Sequence, residues 1–310
     1  LTKAKKKTKK TESKSDKSLV VIASSNYNKK NNKILIEEAE KTFKKFLFVP
    51  INKTHVVEEK GESKIMFKNH NLLDFDIVYP RFGSRDYFMG EAVLRILDNA
   101  DVYCPVSLNG FQLSNHKHYS IKKLAEANLP TVLTALSVSP KAVEKLSKEF
   151  NFPLVLKLIS GFGGKGVVRV ENDSQLRSIL DTVHLFEEYI ATQKYVEGNS
   201  SDIRCYVFGD KVLTVKRQGA KGDWRANISR GGSAKIIKGS KEMEEAAIKA
   251  ARILNFDICA VDLIETKATK EGFVIIEANF QPGPFRKFIG NRVPREMMDF
   301  IRSKVEKSKS

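Results

Sequence analysis

Cysteine is scarce in this chain of 310 residues: Cys104, Cys205 and Cys259 are odd in number and far apart. They form no CxxC pair and no zinc-type spacing, which argues against a disulfide framework or a zinc finger and points to a reducing cytoplasm. No run of about 18 uncharged apolar residues occurs, so no membrane-spanning helix is expected. The start lacks the apolar stretch of a secretory signal, and it uses Lys where a transit peptide uses Arg. Acid is also in short supply: 37 Asp and Glu stand against 54 Lys and Arg, a formal charge of +17.

What is present is a chain with enough apolar material, 41%, for sizeable cores, and long enough for two or three associated domains. Residues 1–18 are mostly Lys, Thr and Ser without periodicity, and they are expected to form an unstructured tail. Such a tail either attaches loosely to RNA or another polyanion, or serves as a solubilising extension. The remaining basicity suits an enzyme that holds a triphosphate and an acidic substrate.

Beyond the tail, Leu19–Ala23 reads as a buried strand and Lys33–Lys45 as an amphipathic helix. Strands are expected at Phe46–Val49, at Phe75–Tyr79 (closed by Pro80) and at Val102–Val106, with a helix at Glu91–Asp98 between the last two. Alternating strands and helices predict an α/β domain over 19–106. A second unit over 107–192 has helices at Tyr119–Ala127 and Pro140–Phe150, and strands at Leu154–Ile159 and Val167–Val170. A third, over 193–310, is richer in strands: Ile203–Phe208 and Lys211–Lys216 around the turn Gly209-Asp210, then helix Lys241–Leu254, then Cys259–Ile264 and Phe273–Glu277.

The segment Gly161-Phe-Gly-Gly-Lys-Gly166 fits G-x-G-x-x-G, a pattern shared by unrelated nucleotide folds. A dinucleotide loop would open a helix, but Val167–Val170 reads as a strand. A Walker loop would continue with Lys-Ser or Lys-Thr, and a kinase would carry His-Arg-Asp and Asp-Phe-Gly; none of these occurs. Here the lysine precedes the loop: Lys157 stands in an apolar strand, where it either snorkels from a sheet edge or meets a phosphate. Glycines would let backbone N–H groups reach the same phosphates. Further on, Asp262 sits in an apolar strand, and Glu277 and Asn279 share one face of another. Hard oxygen donors of this kind suit magnesium completed by nucleotide phosphates, and no His or Cys suggests zinc. Between these ends, residues 217–232 carry Arg217, Lys221, Trp224, Arg225, Asn227 and Arg230, either a solvated loop or a clamp on phosphates.

Taken in order, these pieces resemble the RimK-like glutamate ligases of the ATP-grasp superfamily. The likeness runs through 76–83 (Asp-Ile-Val-Tyr-Pro-Arg-Phe-Gly), Lys117, 129–131, Lys157 and its glycine loop. It continues through 202–210, 222–232 (Gly-Asp-Trp-Arg-Ala-Asn-Ile-Ser-Arg-Gly-Gly), Asp262 and Glu277-Ala-Asn279. The resemblance implies an α/β protein with an ATP-grasp fold, two α+β subdomains sandwiching ATP, preceded by an α/β pre-ATP-grasp domain. It implies that Lys117 and Lys157 contact phosphates, together with Gly163, Gly164, Lys165 and Gly166 of the loop. Gln193-Lys194-Tyr195-Val196 would read the adenine edge, Asp202 would bind ribose, and Arg225 and Asn227 would sit by the phosphates. Asp262, Glu277 and Asn279 would hold Mg2+, or Mn2+ in its place. Arg217 and Arg230 are the candidates for stabilising an acyl-phosphate and the tetrahedral intermediate that follows.

The activity so implied joins a carboxylate to the amine of glutamate or a related amino acid, with ATP as the energy source. The acceptor would be a small molecule or a protein, and such ligases are often dimers or tetramers. A regulatory ATP-binding protein of the same fold is the alternative. The chain departs from the resemblance at Lys194, where Glu is usual, and at Phe280-Gln281, where a small residue and Ser are common before Pro-Gly.

Overall fold

The computed structural model describes residues 13–24, 32–158, 166–184, 189–283 and 286–307. The expected tail lies outside them up to residue 12, and so does its assignment to RNA. Strand β1 (Ser15–Ala23) begins inside the stretch read as tail, so that boundary is corrected. The reason is local: Lys17 and Ser18 bind the Asp76 carboxylate, a partner distant in sequence.

Helix α1 (Lys33–Thr42) leads into β2 (Phe43–Pro50), so the helix ends sooner than its pattern suggested. A small antiparallel sheet follows, β3 (His55–Glu59), β4 (Glu62–Phe67) and β5 (His70–Asn71), and then β6 (Ile77–Arg81). Strands β2-β1-β6 form a parallel sheet. Pro80 does not close β6; it lies within it, opposite Ile22, as proline can on an edge strand. The expected strand Val102–Val106 is reduced to isolated bridges, Ile77 to Tyr103 and Val106 to Phe256. Alternation sorts the parallel sheet's two faces. Leu19, Val21, Ile77 and Tyr79 join α1 in one core, while Val20, Ile22 and Val78 join α2 (Tyr87–Leu97) in another.

Helices α3 (Leu108–Asn115) and α4 (Lys117–Glu126) lead to the central unit. It comprises β7 (Thr134–Ser137), α5 (Pro140–Phe150), β8 (Leu154–Leu158), β9 (Val167–Val170), α6 (Asp173–His184) and β10 (Ile190–Lys194). The sheet order is β7-β10-β8-β9, antiparallel throughout. Leu154, Leu156 and Ile190 pack with residues of α5 and α6 in a core of their own.

The last unit holds β11 (Ser201–Phe208), β12 (Lys211–Gln218), β13 (Ser233–Ile236), α7 (Lys241–Ile253), β14 (Ile258–Glu265), β15 (Phe273–Asn279), α8 (Arg286–Ile289) and α9 (Arg292–Lys307). Its sheet is antiparallel, ordered β13-β12-β11-β14-β15. One face packs on α7 and continues into the α2 core; the other packs on α9, which also covers α1. The first and last units therefore share two cores, and the central sheet stands on its own.

Candidate active site

A cleft of about 150 Å³ opens between the central and last sheets. Lys157 reaches it because alternation along β8 puts Val155 and Lys157 on the face opposite the helices. Strand β8 has a neighbour on each side, so Lys157 does not snorkel from an edge. Burial pushes its pKa down, repulsion from Lys117 adds to that, and Glu277 and Asp262 pull it back up. Lys117 is the first residue of α4, whose N-terminus is capped by His116 accepting from the Tyr119 N–H at 3.3 Å.

The linker Gln193-Lys194-Tyr195-Val196 lines the cleft as a group. The N–H groups of Lys194 and Tyr195 donate to the carbonyls of Leu133 and Pro153, at 3.0 and 3.1 Å. Val132, Val155, Val167, Ile264 and Ile276 supply apolar walls. Trp224, the chain's single tryptophan, meets Tyr195 edge to face with centroids 6.0 Å apart.

At the floor lies a buried chain of charges. Arg217 grips Asp202 through two hydrogen bonds and reaches Asp262 at 3.0 Å. Arg204 donates to both Asp262 oxygens at 2.6 Å each. Burial opposes ionisation of Asp262, but the two guanidiniums overcome it and hold its pKa down. For Asp202 burial wins over Arg217, and its pKa is raised. Glu277 faces Asp262 across β14 and β15, and a bulge at this point slips the register by one. The extra residue lets Ile276 and Glu277, neighbours in sequence, both line the cleft. Glu277 accepts no hydrogen bond among the described residues.

Together these residues offer cations for phosphates, an apolar slot for a planar ring and two facing carboxylates for a hard cation. Among the described residues no three His, Cys, Asp or Glu side chains gather as a metal site. That donor set fits a cation shared with nucleotide phosphates, the way magnesium is usually held, rather than an all-protein cage.

Comparison with known proteins agrees. Residues 19–110 match the RimK PreATP-grasp domain, and residues 114–301 match the RimK-like ATP-grasp domain. The chain belongs to the RimK-like ATP-grasp family. Among its curated relatives, a probable alpha-L-glutamate ligase of Maridesulfovibrio salexigens is 33% identical over 251 residues, covering 79% of this chain and 82% of that protein. One of Methanococcoides burtonii is 30% identical, covering 88% and 90%. In fold, the chain is similar to the ATP-grasp ligase PsnB complexed with a phosphomimetic precursor variant, Mg and ADP. The TM-score is 0.71 at 17% identity, covering 94% of this chain and 99% of that one. This family member is a carbon–nitrogen ligase, and its use of ATP goes with the family.

Of the residues singled out in the sequence, the ligase's cleft gathers Lys117, Lys157, Gln193, Lys194, Tyr195, Val196, Asp202, Arg217, Arg225, Asn227, Asp262 and Glu277. Gly163, Gly164 and Lys165 lie outside the described residues. Gly166 immediately precedes β9 with φ of 70° and is not part of the lining. Asn279 shares the face of Glu277 but stands two pairs further along, outside the lining. Arg230 is exposed and also outside; its Nε donates to Asp223 at 2.7 Å. Asp223 in turn is chelated by Arg225, and these hydrogen bonds hold its carboxyl well below the usual range. Arg225 also donates to the Val167 carbonyl at 3.2 Å, tying this segment to the strand after the glycine loop.

Sequence reasoning missed Arg204 as the partner of Asp262, and Asp223 as the hub of two arginines. It also missed Gly198, Ser200 and Ser201 in the lining. Alternation puts Arg204 on the strand face of Asp202, but its pairing with Asp262 comes from the register of β11 against β14.

Proposed function

We propose that the protein joins a carboxylate to the amine of glutamate, or of a related amino acid, through an acyl-phosphate. The single observation that supports this most is the pairing of Asp262 with a cleft-lining Glu277 that accepts no hydrogen bond among the described residues, opposite the cationic wall of Lys157 and Lys117. ATP enters with its adenine in the apolar slot against Val196, whose backbone N–H has no partner among the described residues. The phosphates extend toward Lys117, Lys157 and Arg225. Glu277 and Asp262, with Asn279 nearby, would hold magnesium, or manganese in its place, which supplies neutralisation of the phosphate charge.

The acceptor's carboxylate oxygen attacks the γ-phosphorus, the bond to the β-phosphate oxygen breaks, and ADP departs. Lys157 and Arg225 steady the charge on the transferred group. The incoming amine then attacks the carbonyl carbon, loses its proton, and expels phosphate as the amide forms. Water must be kept from the acyl-phosphate, and the link from Arg225 to Val167 supports a lid formed by these two segments. Asp202 is tied to Arg217, so its part in ribose binding would be shared with the neighbouring Ser200 and Ser201 hydroxyls. Arg217 acts here by fixing Asp262, and Arg230 by fixing Asp223. Three free cysteines suit a cytoplasmic location. Among the described residues no helix is long and apolar enough to cross a membrane.

Turnover assays with magnesium-ATP, single amino acids and candidate acceptors test this reading. The expected result is ADP release dependent on glutamate or a relative and on an acceptor carboxylate. ATP binding without turnover under every pairing contradicts it.

A further inference from the structure

Among the described residues Arg81 is the largest fully buried side chain, 2% exposed, and it has no carboxylate partner there. One guanidinium nitrogen donates to the Tyr79 hydroxyl at 3.2 Å and another to the Pro282 carbonyl at 3.4 Å, while Nε has no partner among the described residues. Among the described residues, the buried Arg217 and the partly buried Arg204 are both neutralised by aspartates. A buried cation held only by neutral groups carries a large desolvation cost. A site that receives an anion accounts for such a cost.

Its position supports that account. Arg81 is the last residue of β6 and pairs with Ala23, the last residue of β1. From β1 the chain turns to α1 on one face of the parallel sheet; from β6 it turns to α2 on the other. In open parallel sheets such a reversal marks the usual ligand position, beyond the carboxyl ends of the two strands. Against this end of β6 packs the loop that leaves β15. Gln281 donates to the Arg81 carbonyl at 2.6 Å, and the Pro282 carbonyl accepts from the Arg81 side chain. Pro282 is three residues from Asn279 and five from Glu277, so backbone reach keeps it within roughly 10 and 17 Å of them.

We infer that Arg81 is a specificity-determining residue that binds a non-reacting carboxylate of a substrate, entering between β6 and the 281–283 loop. This rests on the ligase reading above. The carboxylate belongs either to the incoming amino acid or to the acceptor, and its chemistry is the same in both cases. A planar guanidinium fork is suited to it where an ammonium is not.

The test compares the full chain with Arg81→Met and Arg81→Lys. Calorimetric titration with L-glutamate probes the amine donor, and titration with N-acetyl-L-glutamate, whose amine is blocked, probes the acceptor. Both are run with magnesium-ADP present, and magnesium-ADP affinity itself is read from Trp224 fluorescence. The inference expects at least one carboxylate probe to bind about tenfold more weakly to both variants, as loss of a charge-assisted pair implies. Magnesium-ADP affinity should be unchanged, and the midpoint of thermal unfolding in Arg81→Met unchanged or higher, because an uncompensated charge has gone. The probe that weakens identifies the source of the carboxylate. Unaltered binding of both probes, no binding of either to the wild type, or a destabilised Arg81→Met with normal probe affinity would each overturn the inference. If magnesium-ADP binds but no pairing gives turnover, the ligase reading fails separately.

Discussion

Asp262 and Glu277 face each other across β14 and β15, yet only one of them is held: Arg204 and Arg217 occupy both oxygens of Asp262, while Glu277 accepts no hydrogen bond among the described residues. Two carboxylates expected to share one role therefore differ in what their loss does to the fold. Removing the charge of Glu277 breaks no hydrogen bond among the described residues, although it takes a favourable charge away from Lys157. Glu277→Gln should change unfolding free energy by no more than about 0.5 kcal/mol while abolishing ligation. Denaturant titration beside an ADP-release assay checks both halves.

Asp262→Asn is a different case. It strips the charge that neutralises two buried guanidiniums, and breaking a buried pair of this kind costs ~3–5 kcal/mol. Loss of activity in this variant should come with a lower denaturation midpoint. A stability equal to that of the wild type would mean that the Arg204–Asp262–Arg217 chain contributes little.

Trp224 is the single tryptophan and lines the cleft, so its emission reports on the cleft alone. Titration with magnesium-ATP or magnesium-ADP should shift or quench it. Trp224→Ala should weaken nucleotide binding by about 1 kcal/mol through lost stacking and area. A flat emission response with tight binding by calorimetry would place the nucleotide elsewhere.

Asp76 links acid sensitivity to the first strand. Burial raises its pKa, but hydrogen bonds from the Lys17 ammonium and from Ser18 overcome this and hold it at about 2. A depressed carboxylate contributes stability that is complete above its unfolded value near 3.8 and is lost as pH falls toward 2. The side chain is about a third exposed, so screening reduces the contribution to roughly 1 kcal/mol. Asp76→Asn should lose that amount at pH 7 and flatten the pH dependence of stability between about 4 and 2. Equal pH slopes in variant and wild type would count against it.

Gly219 begins the segment that carries Trp224 and Arg225. A Cβ there would lie 2.4 Å from the Arg225 carbonyl and 2.9 Å from that of Asp223, both rigid backbone atoms. Gly219→Ala should displace this loop and lower turnover more than tenfold, with about 1–3 kcal/mol of overpacking cost. The kinetic effect should exceed the change in thermal stability.

Much of the fold was legible because apolar strands such as Leu19–Ala23, β-branched ones such as Val167–Val170, and helices such as Pro140–Phe150 carry their own signal. What escaped depended on partners far away in sequence. The hairpin of β3 and β4 turns at Lys60-Gly61, both with positive φ, without the Asn or Asp that usually marks such a turn. Strand β10 is short and its Thr192 and Gln193 look polar, but β7 and β8 bury them. In the site, glycine spacing and lone charges in apolar strands pointed to Lys157, Asp262 and Glu277. The arginines that secure Asp262 could not be assigned from composition, because one lies on β11 and the other on β12, and only the sheet register brings them together. Arg230 belonged to the same motif as Arg225, but the shared Asp223 turns it away from the cleft lining.

The central claim is carboxylate activation by phosphoryl transfer in the cleft of Lys157 and Glu277. The most direct test supplies magnesium-ATP, L-glutamate and an acceptor whose carboxylate oxygens are isotopically labelled, and follows the label by mass spectrometry. The account predicts glutamate-dependent ADP release, a glutamyl amide product, and one labelled oxygen in the phosphate, all lost in Glu277→Gln. An amide product with unlabelled phosphate, or label transfer undiminished in Glu277→Gln, would contradict it.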